Sequence, residues 1–118
     1  MQVTVLKSKI MRAKVTGAEL YYEGSLTLDP ELINRAGFEL HEQVQVVNLN
    51  NGERFTTYVI EGEEPGSGEV VLNGPAARLG YVGDQVIILT YAGMTPEEAR
   101  THVPIVVQVD DQNQPLED

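Results

Sequence analysis

The sequence predicts a mainly β protein, a small closed barrel with short connecting helices. Three observations carry that prediction. Short runs of alternating apolar and polar residues, rich in Val, Ile, Thr and Tyr, recur along the chain. Asn51-Gly52 separates VQVVNLN from ERFTTYVI, and both residues tolerate the positive φ of a tight hairpin turn. The helical signals are brief connectors between strands, which points to a closed barrel rather than an open sheet.

Taken in order, strands are expected near 2–7, 11–16, 25–28, 43–49, 53–60, 69–73, 85–91 and 104–109. After the third, Asp29-Pro30 and ELINRAG form a helix with Asp29 as N-cap, Pro30 at the first helical position and Gly37 as the stop. Asn73-Gly74-Pro75 leads into a helical turn through Leu79, and Thr95-Pro-Glu-Glu98 is a capping box that opens a helix to about His102. From residue 110, DDQNQPLED is polar and acidic and is expected to fray. No repeat, low-complexity segment or linker divides the chain, so residues 1–118 read as one domain, long enough to bury a core without staples.

Composition excludes several kinds of chemistry. Eighteen Asp and Glu against eight Lys and Arg give a net charge of −10, which repels nucleic acid and anionic membranes. Cysteine is absent, and with it go disulfides, a thiolate nucleophile and a zinc cluster. His41 and His102 are isolated, so no metal site is expected. MQVTVLKSKI reads as neither a signal peptide nor a membrane span, and a cytoplasmic location is the expectation.

The remaining polar features each admit two readings. Lys7, Lys9, Arg12 and Lys14 hold half of all Lys and Arg within eight residues; they are either a solvated strand edge or a local anion site. Gly24-Ser25 opens a strand with two poor strand formers. That is either a bend, or a serine hydroxyl set beside an unhindered glycine carbonyl that it can attack. On the second hairpin strand, Arg54, Thr56 and Tyr58 share one face and Phe55, Thr57 and Val59 the other. Arg54 could fork onto a carboxylate and Tyr58 could donate a proton. Asn73 could place an amide on an oxyanion, Gly74 allows close approach, and Pro75 offers no N–H. A phosphate-binding glycine loop, a metal-ligand pair and a Gly-x-Ser-x-Gly elbow are missing.

The segments K9-I-M-R-A-K-V-T16, Y22-E-G-S25, N51-G-E-R-F-T-T-Y-V-I60 and N73-G-P-A-A77 together resemble the pyruvoyl-dependent aspartate 1-decarboxylases over about residues 1–110. The resemblance implies a six-stranded double-psi β-barrel and a homotetramer with active sites between subunits. It implies that Ser25 attacks the Gly24 carbonyl, with Thr57 polarising that carbonyl; glycine suits position 24 because it leaves the carbonyl unshielded and can adopt a strained backbone. The chain would then separate into residues 1–24 (a β chain) and 25–118 (an α chain), the latter beginning with a pyruvoyl group made from Ser25. The implied reaction converts L-aspartate to β-alanine and CO2 for pantothenate and coenzyme A synthesis. Tyr58 would supply the proton, and Lys9 and Arg54 would hold substrate carboxylates. Thr57 and the loop Gly74-Pro75-Ala76 would contact substrate, with Asn73 as oxyanion partner. Tyr22 would line the pocket. Met11, Tyr21 and Arg78 stand where many relatives carry histidine, and Pro75 where alanine is usual. Thr57 and Tyr58 are adjacent and face opposite ways on an ideal strand, so either a bulge or a subunit interface should bring both to one site. A non-catalytic small β-barrel binding module is the alternative.

Overall fold

The computed structural model describes residues 1–116. It has strands β1 (Val3–Lys14), β2 (Gly17–Glu19), β3 (Ser25–Leu28), β4 (Gln43–Asn48), β5 (Arg54–Glu61), β6 (Val70–Asn73), β7 (Gln85–Met94) and β8 (Ile105–Gln108), with helices α1 (Pro30–Ala36) and α2 (Pro96–Thr101). A 3-10 turn covers Gly74–Arg78. The strands form one ladder in the order β2-β6-β3-β5-β4-β7-β1-β8. There are thus eight strands rather than six, and the ladder has two ends, β2 and β8, where a closed ring was expected. The short β2 pairs with β6, and β8 with β1, both in parallel.

Local signals produce the expected helices. Asp29 caps α1 by accepting from the Glu31 N–H at 2.9 Å, and Gly37 ends it in the left-handed region at φ 68°. The same buried carboxylate accepts from the N–H groups of Gly66 and Gly68 at 2.8 and 2.9 Å, tying the helix start to the loop before β6. Thr95 and Glu98 complete the capping box of α2. Gly52 adopts φ 77° in the β4–β5 turn.

Two expectations change. The first two strands are one, because Ser8 points inward and donates to the Ala36 carbonyl at 2.6 Å. The polar residue that broke the pattern therefore satisfies the core rule by a hydrogen bond. Register shifts against β7 at Leu6/Ser8 and Ile10/Ala13, with Arg12 at φ 59°, let the long strand bend. The segment from residue 110 does not fray through residue 116. Asn113 is 1% exposed; its side chain accepts from the Lys14 N–H and donates to the Lys14 and Gly68 carbonyls, each at 2.8 Å. Residues 117–118, the rest of that expected frayed tail, lie outside the described residues.

The core comprises Ile10, Leu26, Leu28, Leu32, Leu72, Ile88 and a set of valines, all essentially inaccessible. Each such side chain contributes roughly 1.5–3 kcal/mol relative to exposure. Partly exposed pairs such as Lys14–Asp111 at 3.4 Å contribute about 0–1 kcal/mol. Burial, not surface charge, holds the framework.

Candidate active site

The site forms where β5 changes partners. Arg54–Tyr58 pair antiparallel with Val47–Gln43 of β4, and Val59–Glu61 then pair in parallel with Leu26–Leu28 of β3. Stepping that parallel register back from Leu26/Val59 sets Ser25 alongside Tyr58 and Gly24 alongside Thr57. No ladder joins them there: the β3–β5 pairing begins only at Leu26/Val59, while on the other edge of β3 Ser25 pairs with Asn73 of β6. The gap is a cavity of about 330 Å³ whose lining includes Gly24, Thr57, Tyr58, Asn73, Pro75 and Ala76. Both Thr57 and Tyr58 reach it within one chain. β5 itself runs in continuous register. The irregularity is on the other side, where the His41 N–H donates to the Val59 carbonyl at 2.8 Å and the Val59 N–H donates to Glu42 at 3.0 Å. Two residues thus oppose one, with His41 left-handed at φ 68°, the pattern of a bulge beside the site.

Ser25 is 1% exposed. Its hydroxyl donates to the Glu23 carbonyl at 3.1 Å and accepts from Asn73 Nδ2 at 3.0 Å. The same nitrogen donates to Thr27 Oγ1 at 2.8 Å. Gly74 is left-handed at φ 65°, and a Cβ there would meet Gly24 Cα at 2.8 Å, Gly24 N at 2.9 Å and the Tyr22 carbonyl at 2.9 Å. Only glycine lets the turn press against the Gly24 backbone. At Gly24 a Cβ would meet only Pro75 Cδ, at 3.6 Å, which is ordinary contact. Gly24 is also not among the positive-φ glycines. The left-handed glycine at the site is therefore Gly74 and not Gly24, and packing alone does not account for glycine at 24.

The two expected carboxylate holders lie elsewhere. Lys9, Leu89, Gln45 and Thr56 form one row across β1, β7, β4 and β5, on the face opposite Ile10 and Val46. Arg54 shares that outer face, where its Nη1 donates to Gln45 Oε1 at 2.7 Å; the Tyr91 hydroxyl donates to the same oxygen at 2.9 Å. Neither cation lines the cavity beside Gly24. Half of the basic cluster is already paired, Lys7 with Glu42 at 2.8 Å and Lys14 with Asp111. Tyr22 lines a different, larger cleft of about 890 Å³, whose wall carries Glu19, Glu61, Glu63, Glu64 and Glu69. Five carboxylates repel a dicarboxylic acid, so the smaller cavity, which has none in its lining, is the one that suits an acidic substrate.

Sequence reasoning missed Thr27 and His41. Thr27 shares the face of Ser25 by strand period, a signal that was available. The ring of His41 packs edge-on against Tyr58, with centroids 6.2 Å apart at 63°; no local pattern announces that contact. Among the described residues no cluster of three His, Cys, Asp or Glu could hold a metal, and no helix is long and apolar enough to cross a membrane.

Comparison with known proteins gives the fold and the family. Two computationally or rationally designed DPBB (double-psi β-barrel) proteins superpose with a TM-score of 0.50, at 22% identity over 66% of this chain and 90% of the first, and 20% over 75% and 99% of the second. At that identity the likeness concerns the fold alone. The chain is 56% identical over 115 residues to the aspartate 1-decarboxylase of Chloroherpeton thalassium, covering 98% of this chain and 84% of that one. It is 60% identical over 113 residues to that of Caldicellulosiruptor saccharolyticus, covering 96% and 88%. The aspartate decarboxylase family model matches residues 1–116. With that match spanning Gly24-Ser25, the β5 face and the Asn73 turn together, the chain belongs to the aspartate decarboxylase family.

Proposed function

We propose that this chain cuts itself between Gly24 and Ser25 and then decarboxylates L-aspartate to β-alanine and CO2, for pantothenate and coenzyme A synthesis. One observation carries the reading: a buried serine with an amide donor on its oxygen, next to a glycine that packing does not require, on a cavity shared with Thr57 and Tyr58.

In the cleavage, Ser25 Oγ attacks the Gly24 carbonyl carbon; a C–O bond forms, the C–N bond breaks, and the hydroxyl proton ends on the freed nitrogen. Elimination across residue 25 releases the Gly24 carboxylate, and hydrolysis of the product releases ammonia. Glu23's carbonyl, which holds the hydroxyl proton in the resting chain, is no base, so the hydroxyl must turn from it to react. Thr57, which lines the same cavity as Gly24, would polarise the Gly24 carbonyl. A pyruvoyl group at position 25 would fit, because the Gly24 side is open to the cavity and Asn73 Nδ2 lies beside residue 25, whose hydroxyl oxygen departs with Gly24. When formed, that group supplies an electron-withdrawing ketone for the substrate amine. Tyr58 delivers a proton to the carbon that has lost its carboxylate. The Gly74-Pro75-Ala76 turn shapes the floor against which the substrate rests, and Asn73 holds the developing oxyanion.

Lys9 and Arg54 enter through assembly. Their face also carries half-buried or exposed Val47, Ile87, Leu89 and Val106, apolar side chains that a solvated sheet face has little use for. Packing copies into a homotetramer through that face would bring these cations to a neighbour's cavity. Mixing K9A chains with S25A chains tests this: recovered turnover supports sites between subunits, and none counts against them. For the reaction itself, β-alanine should appear from L-aspartate and stop after borohydride reduction. Turnover that survives reduction would remove the ketone from the account. A binding-module reading gives Ser25, Asn73, Thr57 and Tyr58 no joint purpose.

A further inference from the structure

We infer that Thr27 is a positioning residue for the chemistry at position 25, acting through Asn73; the inference rests on the reading of Ser25 as the reacting residue.

Asn73 Nδ2 has two protons, and both are engaged, one by Ser25 Oγ at 3.0 Å and one by Thr27 Oγ1 at 2.8 Å. The register Ser25↔Asn73 and Thr27↔Val71 makes this possible. It places the two hydroxyls on one face of β3 with the amide between them. The orientation of the amide follows from the network rather than from its outline, since an amide's N and O are otherwise interchangeable. Ser25 has already given its proton to the Glu23 carbonyl, so its oxygen needs a donor. Asn73 must therefore present nitrogen, not oxygen.

Thr27 fixes that choice. Asn73 is 2% exposed, and a buried amide proton without an acceptor is unfavourable. With the Thr27 hydroxyl gone, the amide gains by rotating, and it then either leaves Ser25 or turns its oxygen toward it. A donor would become an acceptor at Ser25 Oγ, the oxygen that must leave with its electron pair in the elimination. Thr27 touches no reacting atom: it lines the glutamate-rich cleft, not the cavity at Gly24, while Asn73 lines both. The Asn73–Thr27 bond is thus part of the wall between the two cavities, reached from the side where no chemistry occurs.

Thr27→Val keeps the shape and removes the hydroxyl, and Thr27→Ser keeps the hydroxyl and removes the methyl. Three quantities are read: the half-time of self-cleavage by denaturing mass spectrometry, kcat and KM of the cleaved protein, and Tm. For T27V we expect cleavage slowed about tenfold, the scale of one lost hydrogen bond, and kcat slowed on the same scale because the turned amide no longer faces the developing oxyanion, with KM within about twofold. T27S should restore both to within about twofold. Wild-type rates in T27V, or a T27S as slow as T27V, overturn the inference. A wild-type chain that never cleaves overturns the reading of Ser25 first and this inference with it. A measurement on the wild type covers a T27V that fails to fold: the side-chain amide protons of Asn73 should exchange slowly with solvent. Exchange as fast as that of the exposed Asn34 amide contradicts a clamped amide.

Discussion

Two cavities meet at Asn73, and they differ in everything that matters for an acidic substrate. The larger, about 890 Å³, is walled by five glutamates and two exposed tyrosines. The smaller, about 330 Å³, has no ionisable group but Tyr58 in its lining and is backed by the Gly24-Ser25 segment. Size favours the first, and charge and chemistry favour the second. On a chain of net charge −10, a site for a dicarboxylate must be a place where negative charge is missing and cations can be brought in. The cleft beside it is the counter-example on the same molecule.

The comparison breaks most readily at Gly74. Gly74→Ala places a methyl within 2.9 Å of the Gly24 backbone at a positive φ, where an L side chain alone costs roughly 1–2 kcal/mol. Self-cleavage should stop and Tm should fall, both visible by gel and by melting; normal cleavage would show that the turn does not seat the scissile bond. Next in size, Tyr58→Phe should leave KM nearly unchanged and lower kcat by roughly 10²-fold or more. An equal change in both constants would make Tyr58 a binding residue. Replacing Glu63 and Glu64 together by Gln in the larger cleft should leave kcat and KM within about twofold, since screened surface carboxylates act weakly at a distance. A marked fall in KM would mean that this cleft repels the substrate on its way in.

The smallest effect lies outside both cavities. Hydrogen bonds from the Asn48 side chain and then the Tyr81 N–H hold the Asp84 carboxyl below its ordinary value of 3.8. A lowered folded-state value means that the unfolded chain binds the proton more readily. Its contribution is therefore present above about pH 4 and lost as pH falls through the folded value. Asp84→Asn should accordingly flatten the acid side of the Tm profile while leaving cleavage and turnover unchanged.

How much of this was legible in the sequence depended on the range of the interaction. The caps at Asp29, Gly37 and Thr95 are local and were read correctly; the hairpin at Asn51-Gly52 is present too, but through the longer loop 49–53, in which only Gly52 takes a positive φ. Ser8 misled because its partner, the Ala36 carbonyl, lies 28 residues away, and Asn113 because its clamp on Lys14 spans 99. The three-residue β2 has too few positions to show a period. At the site, Gly24, Thr57, Tyr58, Asn73, Pro75 and Ala76 line one cavity, and Ser25 is bonded to Asn73 beside it. Lys9 and Arg54 do not line that cavity, although Arg54 shares a face of β5 with Thr56 and Tyr58. The apparent conflict between neighbouring Thr57 and Tyr58 dissolves only once β5 is seen to leave β4 for β3. A change of strand partner leaves no mark on the alternation of side chains.

The central claim is that Ser25 is consumed to make the reactive group. Denaturing intact-protein mass spectrometry of the purified protein tests it most directly. The account predicts two species, one ending at Gly24 and one beginning at a residue derived from Ser25 that has lost its ammonia, and in S25A a single intact chain. An intact wild-type chain that nevertheless converts L-aspartate to β-alanine would contradict it.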